Sequence, residues 1–211
     1  MTTPATQERH RFADLLAEIG PDAPTLSGDW NTRDLAAHIV IRDRRPDAMP
    51  GILIPKLAGY TDKLQSNLAK SDEYDDLVRK VREGAPFWSP TRLHAVDRLA
   101  NTAEFFVHLE DVRRAQPDWS ARELHDDLAD DLYDVLKRGA KMMARKAPAG
   151  IALAPTGRAS IVANKSEPMV EVSGPVGELV LWLYGRQAHS LVEYDGPDEA
   201  VEKLRTASFG I

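Results

Sequence analysis

The sequence predicts a mainly α protein, in which a helical bundle up to about residue 147 precedes a small α+β domain. Before that point, apolar residues recur at helical spacing over long segments, which is typical of amphipathic helices. After it, short apolar runs alternate with turn residues, which is typical of strands. We therefore divide the chain into a bundle domain, residues 1–147, and an α+β domain, residues 148–211.

The composition is that of a globular protein and argues against several functions. The chain has 211 residues, of which 43% are hydrophobic and 28% charged. Because the net charge is −6 and no basic stripe is present, nucleic-acid binding is not expected. No apolar run has the length of a membrane span and the first residues do not resemble a secretory signal, so we expect a cytoplasmic protein without a membrane partner. Since there is no cysteine, any thiol chemistry requires a thiol from outside the chain.

The bundle domain is predicted to consist of helices separated by proline and glycine. The first helix extends from Thr6 to Ile19 and ends at Gly20, because the following proline cannot continue it. The second helix begins at Asn31 or Thr32, both of which can cap a helix, and stops before Pro46. Four more helices are predicted over residues 52–69, 73–83, 96–116 and 124–146.

The α+β domain is predicted to contain four strands and two helices. A proline at position 175 and a glycine at position 185 bound the first of these helices. The predicted strands cover residues 151–155, 159–163, 169–173 and 190–194, and the helices cover residues 175–184 and 197–206.

Polar residues on two of the bundle helices have inward positions. Glu104, His108 and Asp111 follow one another at i, i+4 and i+7, within or beside an apolar arc of their helix. His38 shares a helix side with Leu35 and other apolar residues. Buried carboxylates and imidazoles are costly unless something pairs with them. The donors of His38, Glu104 and His108 suit a borderline divalent metal such as zinc, with a fourth position left open.

Each of these residues also has an ordinary structural explanation. A Glu-x-x-x-His pair often forms a solvated contact within one helix, and inward histidines are often satisfied by core hydrogen bonds. Asp111 is better explained as a group that orients an imidazole, or as a partner of Arg114, than as a fourth ligand. Arg42 follows His38 by one turn and could hold a substrate carboxylate. Arg186 either compensates a helix dipole or reaches into the open end of the bundle.

Three segments of the chain resemble the DinB/YfiT-like metalloenzymes. They are Trp30-Asn-Thr-Arg-Asp-Leu-Ala-Ala-His38, Glu104-Phe-Phe-Val-His-Leu-Glu-Asp111 and Leu181-Trp-Leu-Tyr-Gly-Arg186. The branch they resemble is the mycothiol-dependent maleylpyruvate isomerase family, with its uncharacterised actinobacterial relatives.

The resemblance covers nearly the whole chain and implies a DinB-like four-helix bundle followed by a small α+β domain. It implies that His38, Glu104 and His108 bind a divalent metal, usually zinc, and that Asp111 matches the aspartate after the second histidine. It also implies that Arg186 contacts the substrate or the thiol.

Two features depart from the family pattern. Asn101 stands where the family commonly has an arginine, three residues before the glutamate. The segment from Ile41 to Asp47 is similar to the uncharacterised relatives rather than to the isomerase. The metal assignment therefore carries over better than the substrate.

We therefore expect a metal-dependent enzyme that uses a low-molecular-weight thiol, mycothiol or a similar molecule. The thiolate would attack a small electrophilic substrate and cause S-transfer or isomerisation. Arg186 and Arg42 would hold carboxylates of the thiol or the substrate. Zinc is favoured, with nickel, iron and manganese as alternatives. A non-catalytic metal- or small-ligand-binding bundle is the main alternative, and a metal-free bundle that acts by protein association is the third. The sequence does not distinguish a monomer from a homodimer.

Overall fold

The structure, a computed structural model, describes residues 2–45, 47–48, 58–86 and 98–207. Within these ranges it contains eight α-helices, two short 3₁₀ helices and one four-stranded sheet. The chain forms two compact units, Met1–Trp119 and Ser120–Ile211. The predicted mainly α fold with a smaller C-terminal α+β part is confirmed.

The first unit contains five helices in its described residues. They are α1 Pro4–Ile19, α2 Thr32–Arg44, α3 Ala58–Ser71, α4 Tyr74–Glu83 and α5 Arg98–Arg114. Helix α1 packs against α4 and α5, and α2 packs against α3 and α4. Residues 52–57 of the predicted third helix, and residues 96–97 of the predicted fifth, lie outside the described residues.

Local capping explains where the second helix begins. The side chain of Asn31 accepts a hydrogen bond from the backbone of Asp34 at 3.0 Å, and the Asp34 carboxylate accepts one from the backbone of Asn31 at 3.3 Å. This reciprocal capping box satisfies two backbone donors that a helix start leaves without partners. It fixes the start of the helix that carries His38.

The core of the first unit lies between α1, α2, α4 and α5. Fully buried aromatic and aliphatic side chains from all four helices meet there, among them Phe12, Leu35, Ile39, Leu77 and Phe105. Because α2 and α5 both contribute to this core, the polar residues at its margin are held by rigid elements.

The second unit combines three helices with the sheet. The helices are α6 Asp126–Met143, α7 Val176–Leu183 and α8 Asp198–Thr206, and the strands are β1 Gly150–Pro155, β2 Ile161–Asn164, β3 Met169–Gly174 and β4 Glu193–Asp195. The strand order is β2-β1-β3-β4, in which only the β1–β3 pair is parallel. All residues of α7 are buried, so this helix forms the centre of the unit.

The compact second unit begins earlier than the boundary predicted near residue 147. Helix α6 packs against α7 and β2, and its buried residues include Leu132 and Leu136. The apolar periodicity of α6 indicated a helix with one buried face, but a sequence pattern does not indicate which element covers that face. A second difference is at residues 190–194, where β4 is only Glu193–Asp195 and follows a 3₁₀ helix at Gln187–His189.

Among the described residues, no helix combines the length and the hydropathy of a membrane-spanning segment.

Candidate metal centre

Helices α2 and α5 bring three of the predicted residues together. His38 Nε2 lies 3.4 Å from Glu104 Oε1, and His108 Nε2 lies 3.4 Å from the same oxygen. One donor atom from each of the three residues lies within 4.8 Å of the other two. Among the described residues, this is the one group of three or more histidine or acidic side chains with spacing suited to a metal.

The distances within this group match those between ligands of one metal ion. Ligands at about 2.05 Å from a tetrahedral zinc ion lie roughly 3.3 Å apart. A hydrogen bond between a nitrogen donor and an oxygen acceptor is usually about 2.7–3.2 Å long. The two separations of 3.4 Å are therefore those of long hydrogen bonds and are also close to the edge length of a coordination tetrahedron.

The group is shielded from solvent but not closed. The exposed fraction of the side chain is 13% for His38, 24% for Glu104 and 12% for His108. Some solvent exposure at three donors is typical of open, catalytic zinc sites rather than of closed, structural ones. The donor set, its spacing and its exposure therefore fit a divalent metal.

Asp111 orients His108 from the fully buried side. Its Oδ2 lies 3.0 Å from His108 Nδ1, and its side chain has no exposed surface. A hydrogen bond from Nδ1–H to a carboxylate leaves the Nε2 lone pair available to a metal, and Nε2 is the atom that faces Glu104. Arg114, the other partner considered for Asp111, forms an ion pair with Glu110 at 2.7 Å.

The protonation states reflect these contacts. For Glu104, burial is the largest influence and favours the neutral acid, but hydrogen bonds with His108 and His38 outweigh it and hold the pKa well below its usual range. For His108, burial likewise disfavours the charged form, but the bonds to Asp111 and Glu104 raise the pKa to about 9. Without a metal, the site therefore pairs a carboxylate with a charged imidazole, and a metal has to displace the His108 proton.

Arg42 lies beside the same carboxylate. Its Nε is 3.4 Å from Glu104 Oε1, and its Nη2 donates to Asn101 Oδ1 at 2.8 Å. Asn101 is the position at which the family pattern commonly has an arginine. In this chain Asn101 instead binds Arg42, an arginine of the neighbouring helix α2. Asn101 precedes Glu104 by three residues on the same helix side, a spacing that identifies it as a possible neighbour of the site.

Two residues of the loop before α2 also reach the site, and sequence reasoning did not find their roles. The ring of Trp30 lies 5.1 Å from that of His38, which in turn lies 5.4 Å from the ring of His108. Ser27 Oγ donates to Asp111 Oδ2 at 2.8 Å. Ser27 and Asp111 are 84 positions apart in the chain, so no local pattern could have related them.

Arg186 lies in the second unit, just after α7. Its Nη1 donates to the carbonyl oxygen of Tyr184 at 2.6 Å. A cation bonded to a carbonyl at a helix C-terminus stabilises the helix dipole, which is the structural role considered for this residue.

Fold and site together define a class: a helical-bundle protein with a histidine–glutamate–histidine candidate metal centre and a small C-terminal α+β unit. Among solved structures, the chain is similar to the crystal structure of the mycothiol-dependent maleylpyruvate isomerase, with a TM-score of 0.56 and 14% sequence identity. The match covers 92% of this chain and 96% of that chain. A histidine-to-alanine mutant of that isomerase matches over the same shares, with a TM-score of 0.55 and 13% identity.

No protein-family model matches the chain, and no curated protein matches it. The similarity to the isomerase structures, nearly complete for both chains, shows a common fold. It confirms the fold that the resemblance in the three sequence segments implied.

Proposed function

We propose that this protein is a divalent-metal-dependent enzyme that uses a low-molecular-weight thiol, mycothiol or a similar one, to transfer sulfur to a small electrophilic substrate or to isomerise it. The observation that carries the proposal is the convergence of His38, Glu104 and His108, with Nε2 of each histidine 3.4 Å from the same glutamate oxygen. The fold shared with a mycothiol-dependent isomerase supports the choice of cosubstrate.

The ligand set favours catalysis over a purely structural metal. Three protein ligands from two helices leave a position for a small molecule, whereas structural zinc sites are closed by four. When bound there, a divalent cation supplies Lewis acidity and favours the thiolate form of a thiol ligand at neutral pH. Zinc suits two imidazoles and one carboxylate, and nickel, iron and manganese are alternatives.

The residues around the ligands have separate tasks in this proposal. Asp111 accepts a hydrogen bond from His108 Nδ1–H and so keeps Nε2 directed at the proposed metal position. Arg42 places a permanent positive charge next to Glu104, and Asn101 orients its guanidinium. A guanidinium can bind a carboxylate of the thiol or the substrate through two parallel hydrogen bonds.

Arg186 is the second arginine proposed to hold a carboxylate, on the basis of the sequence resemblance. In the structure its Nη1 donates to the carbonyl oxygen of Tyr184, at the C-terminal end of α7.

The chemistry requires an external nucleophile because the chain has no cysteine. The thiolate sulfur forms a bond to an electrophilic carbon of the substrate. The π electrons of the attacked double bond move onto the electron-withdrawing group conjugated with it. In a transfer the adduct takes up a proton and is released. In an isomerisation a bond of the adduct rotates, after which the carbon–sulfur bond breaks and the thiol is regenerated.

The first experiment is metal analysis of protein purified without a histidine tag or chelator. We expect about one divalent metal ion per chain in the native protein, and its loss in His38→Ala and in His108→Ala. His10→Ala is the matched control, because His10 is an exposed histidine on α1. Native protein that neither retains nor takes up a metal contradicts the proposal and leaves the metal-free bundle.

The second experiment separates an enzyme from a non-catalytic metal-binding protein. Mycothiol is titrated calorimetrically into metal-loaded native protein and into metal-free His38→Ala protein. Binding that requires the metal supports the enzyme. A metal-loaded protein that binds neither mycothiol nor glutathione supports the non-catalytic alternative.

A further inference from the structure

We propose that the loop between α1 and α2, residues 20–31, is part of the metal centre, and that Ser27 is a positioning residue for His108. This inference rests on the proposed metal site. With this loop, a third segment of the chain joins the two helices at the site.

Ser27 acts on His108 through a single carboxylate oxygen. Asp111 Oδ2 accepts a hydrogen bond from Ser27 Oγ at 2.8 Å and lies 3.0 Å from His108 Nδ1. A donor on a carboxylate oxygen restricts the rotation of that carboxylate. The hydroxyl of Ser27 therefore helps to hold the Asp111 carboxylate, which in turn orients the imidazole of His108.

Hydrogen bonds of Thr25 and Leu26 hold the loop around Ser27. The buried Thr25 hydroxyl donates to the carbonyl of Trp30 at 2.7 Å and accepts a bond from the Ser27 backbone at 3.1 Å. The backbone N–H of Leu26 donates to the carbonyl of Asp111 at 3.1 Å. Backbone and side chain of the loop therefore contact the same residue of α5.

The same loop contacts the other imidazole. Trp30 packs its ring against that of His38 at a centroid distance of 5.1 Å, three residues after Ser27. One short segment thus restrains the ligating histidines of both α2 and α5. Partners that orient ligands commonly change metal affinity by about 10- to 100-fold when they are lost.

The test is zinc affinity, measured by competition with a chromophoric chelator, of the native protein and of Ser27→Ala. We expect the Kd of Ser27→Ala to rise by about 10-fold or more. Ser27→Thr keeps the hydroxyl and should restore most of the affinity. Thr25→Val, which keeps Ser27 but removes the bonds that hold it, should show a smaller rise in Kd.

Tyr74→Phe is the matched control for loss of a buried hydrogen bond in the same unit. The Tyr74 hydroxyl donates to the carbonyl of Leu16 at 2.9 Å, within the core and not at the metal site. This variant should lose stability without losing zinc affinity. If Ser27→Ala binds zinc no more weakly than Tyr74→Phe does, the role of Ser27 is merely structural and the inference is wrong.

A second measurement reports the protonation and coordination of the His108 imidazole directly. In the zinc-bound native protein, nitrogen-15 NMR should show His108 protonated on Nδ1 and coordinated through Nε2, with slow exchange of the Nδ1 proton. Ser27→Ala should speed that exchange, and unchanged exchange and unchanged zinc affinity together overturn the inference. A native protein that binds no zinc overturns the proposed function instead, so the two failures are distinguishable.

Discussion

Three nitrogen atoms, from His38, Arg42 and His108, each lie 3.4 Å from the same oxygen of Glu104. The acidity of this carboxyl group follows from that arrangement. Burial alone would favour its neutral form, and the surrounding hydrogen bonds and positive charge keep it ionised. A single residue thus supplies the negative charge that attracts a cation and contacts all three of its neighbours.

Replacing Glu104 with glutamine should abolish tight metal binding while keeping the shape of the side chain. A neutral amide is a much weaker ligand than a carboxylate, and it no longer offsets the charge of Arg42. We expect the zinc Kd of Glu104→Gln to rise by about 100-fold or more, measured by chelator competition. Glu18→Gln, an exposed glutamate on α1, should bind zinc like the native protein. Equal affinity of Glu104→Gln and native protein would remove Glu104 from the ligand set.

Tyr74 should make stability depend on pH in the alkaline range. Burial raises its pKa from 10 to about 12, so the native state favours the neutral phenol. Its contribution to the free energy of unfolding is fully present below pH 10 and is lost as the pH rises through 12. Urea midpoints between pH 9 and pH 12 should therefore fall more steeply for native protein than for Tyr74→Phe. Parallel curves for the two proteins would contradict this.

At the scale of elements, α5 organises the site through its periodicity. Asn101, Glu104, His108 and Asp111 are separated by three, four and three residues, which places them along one stripe of the helix. Phe105 and Leu109, on the neighbouring face of the helix, are buried in the core of the first unit. The apolar residues of α5 therefore pack into the core, and its four polar side chains lie along one stripe at the site.

The capping box of α2 should contribute measurably to stability. Asn31→Ala removes the side-chain bond to the backbone of Asp34 and should lower the free energy of unfolding by about 1 kcal/mol, as measured in urea. Asn31→Asp retains an acceptor at that position and serves as the control. A stability of Asn31→Ala equal to that of the native protein would show that other contacts fix the start of α2.

At the scale of the molecule, the grouping of α6 with the sheet is a testable property of the two units. Leu136 is fully buried on α6, and truncation of such a residue costs about 2–5 kcal/mol. Leu136→Ala should therefore increase hydrogen exchange in β1, β2 and α7, while amides in α5 keep their protection. Leu77→Ala, in the core of the first unit, should give the reverse pattern. Loss of protection in α5 but not in β1 on truncation of Leu136 would place α6 with the first unit.

Much of the architecture could be predicted from the sequence because helical periodicity and capping are local properties. The predicted range of helix 1 differs from the observed one by two residues, and the predicted helix over 73–83 differs by one. The strand over 169–173 is also present, one residue longer. The strand predicted at 190–194 is instead Glu193–Asp195, and it follows a 3₁₀ helix at Gln187–His189 that the sequence analysis did not predict.

The candidate site was predictable in part for the same reason. His108 and Asp111 share a helix side with Glu104, and the spacing alone shows it. The contact of Arg42 with Asn101 joins residues 59 positions apart, so it depends on how α2 and α5 pack rather than on either helix alone.

The sequence by itself determined the helices, the mainly α class, and the residue types able to hold a metal, because each depends on spacing within one element. Only the tertiary structure decided that His38 meets Glu104 at the distance of neighbouring ligands, that Ser27 reaches Asp111, and that α6 packs on the sheet. Such contacts join residues that are far apart in the chain. The burial of apolar faces brings these residues together, and the contacts leave no periodic pattern in the sequence from which they could be predicted.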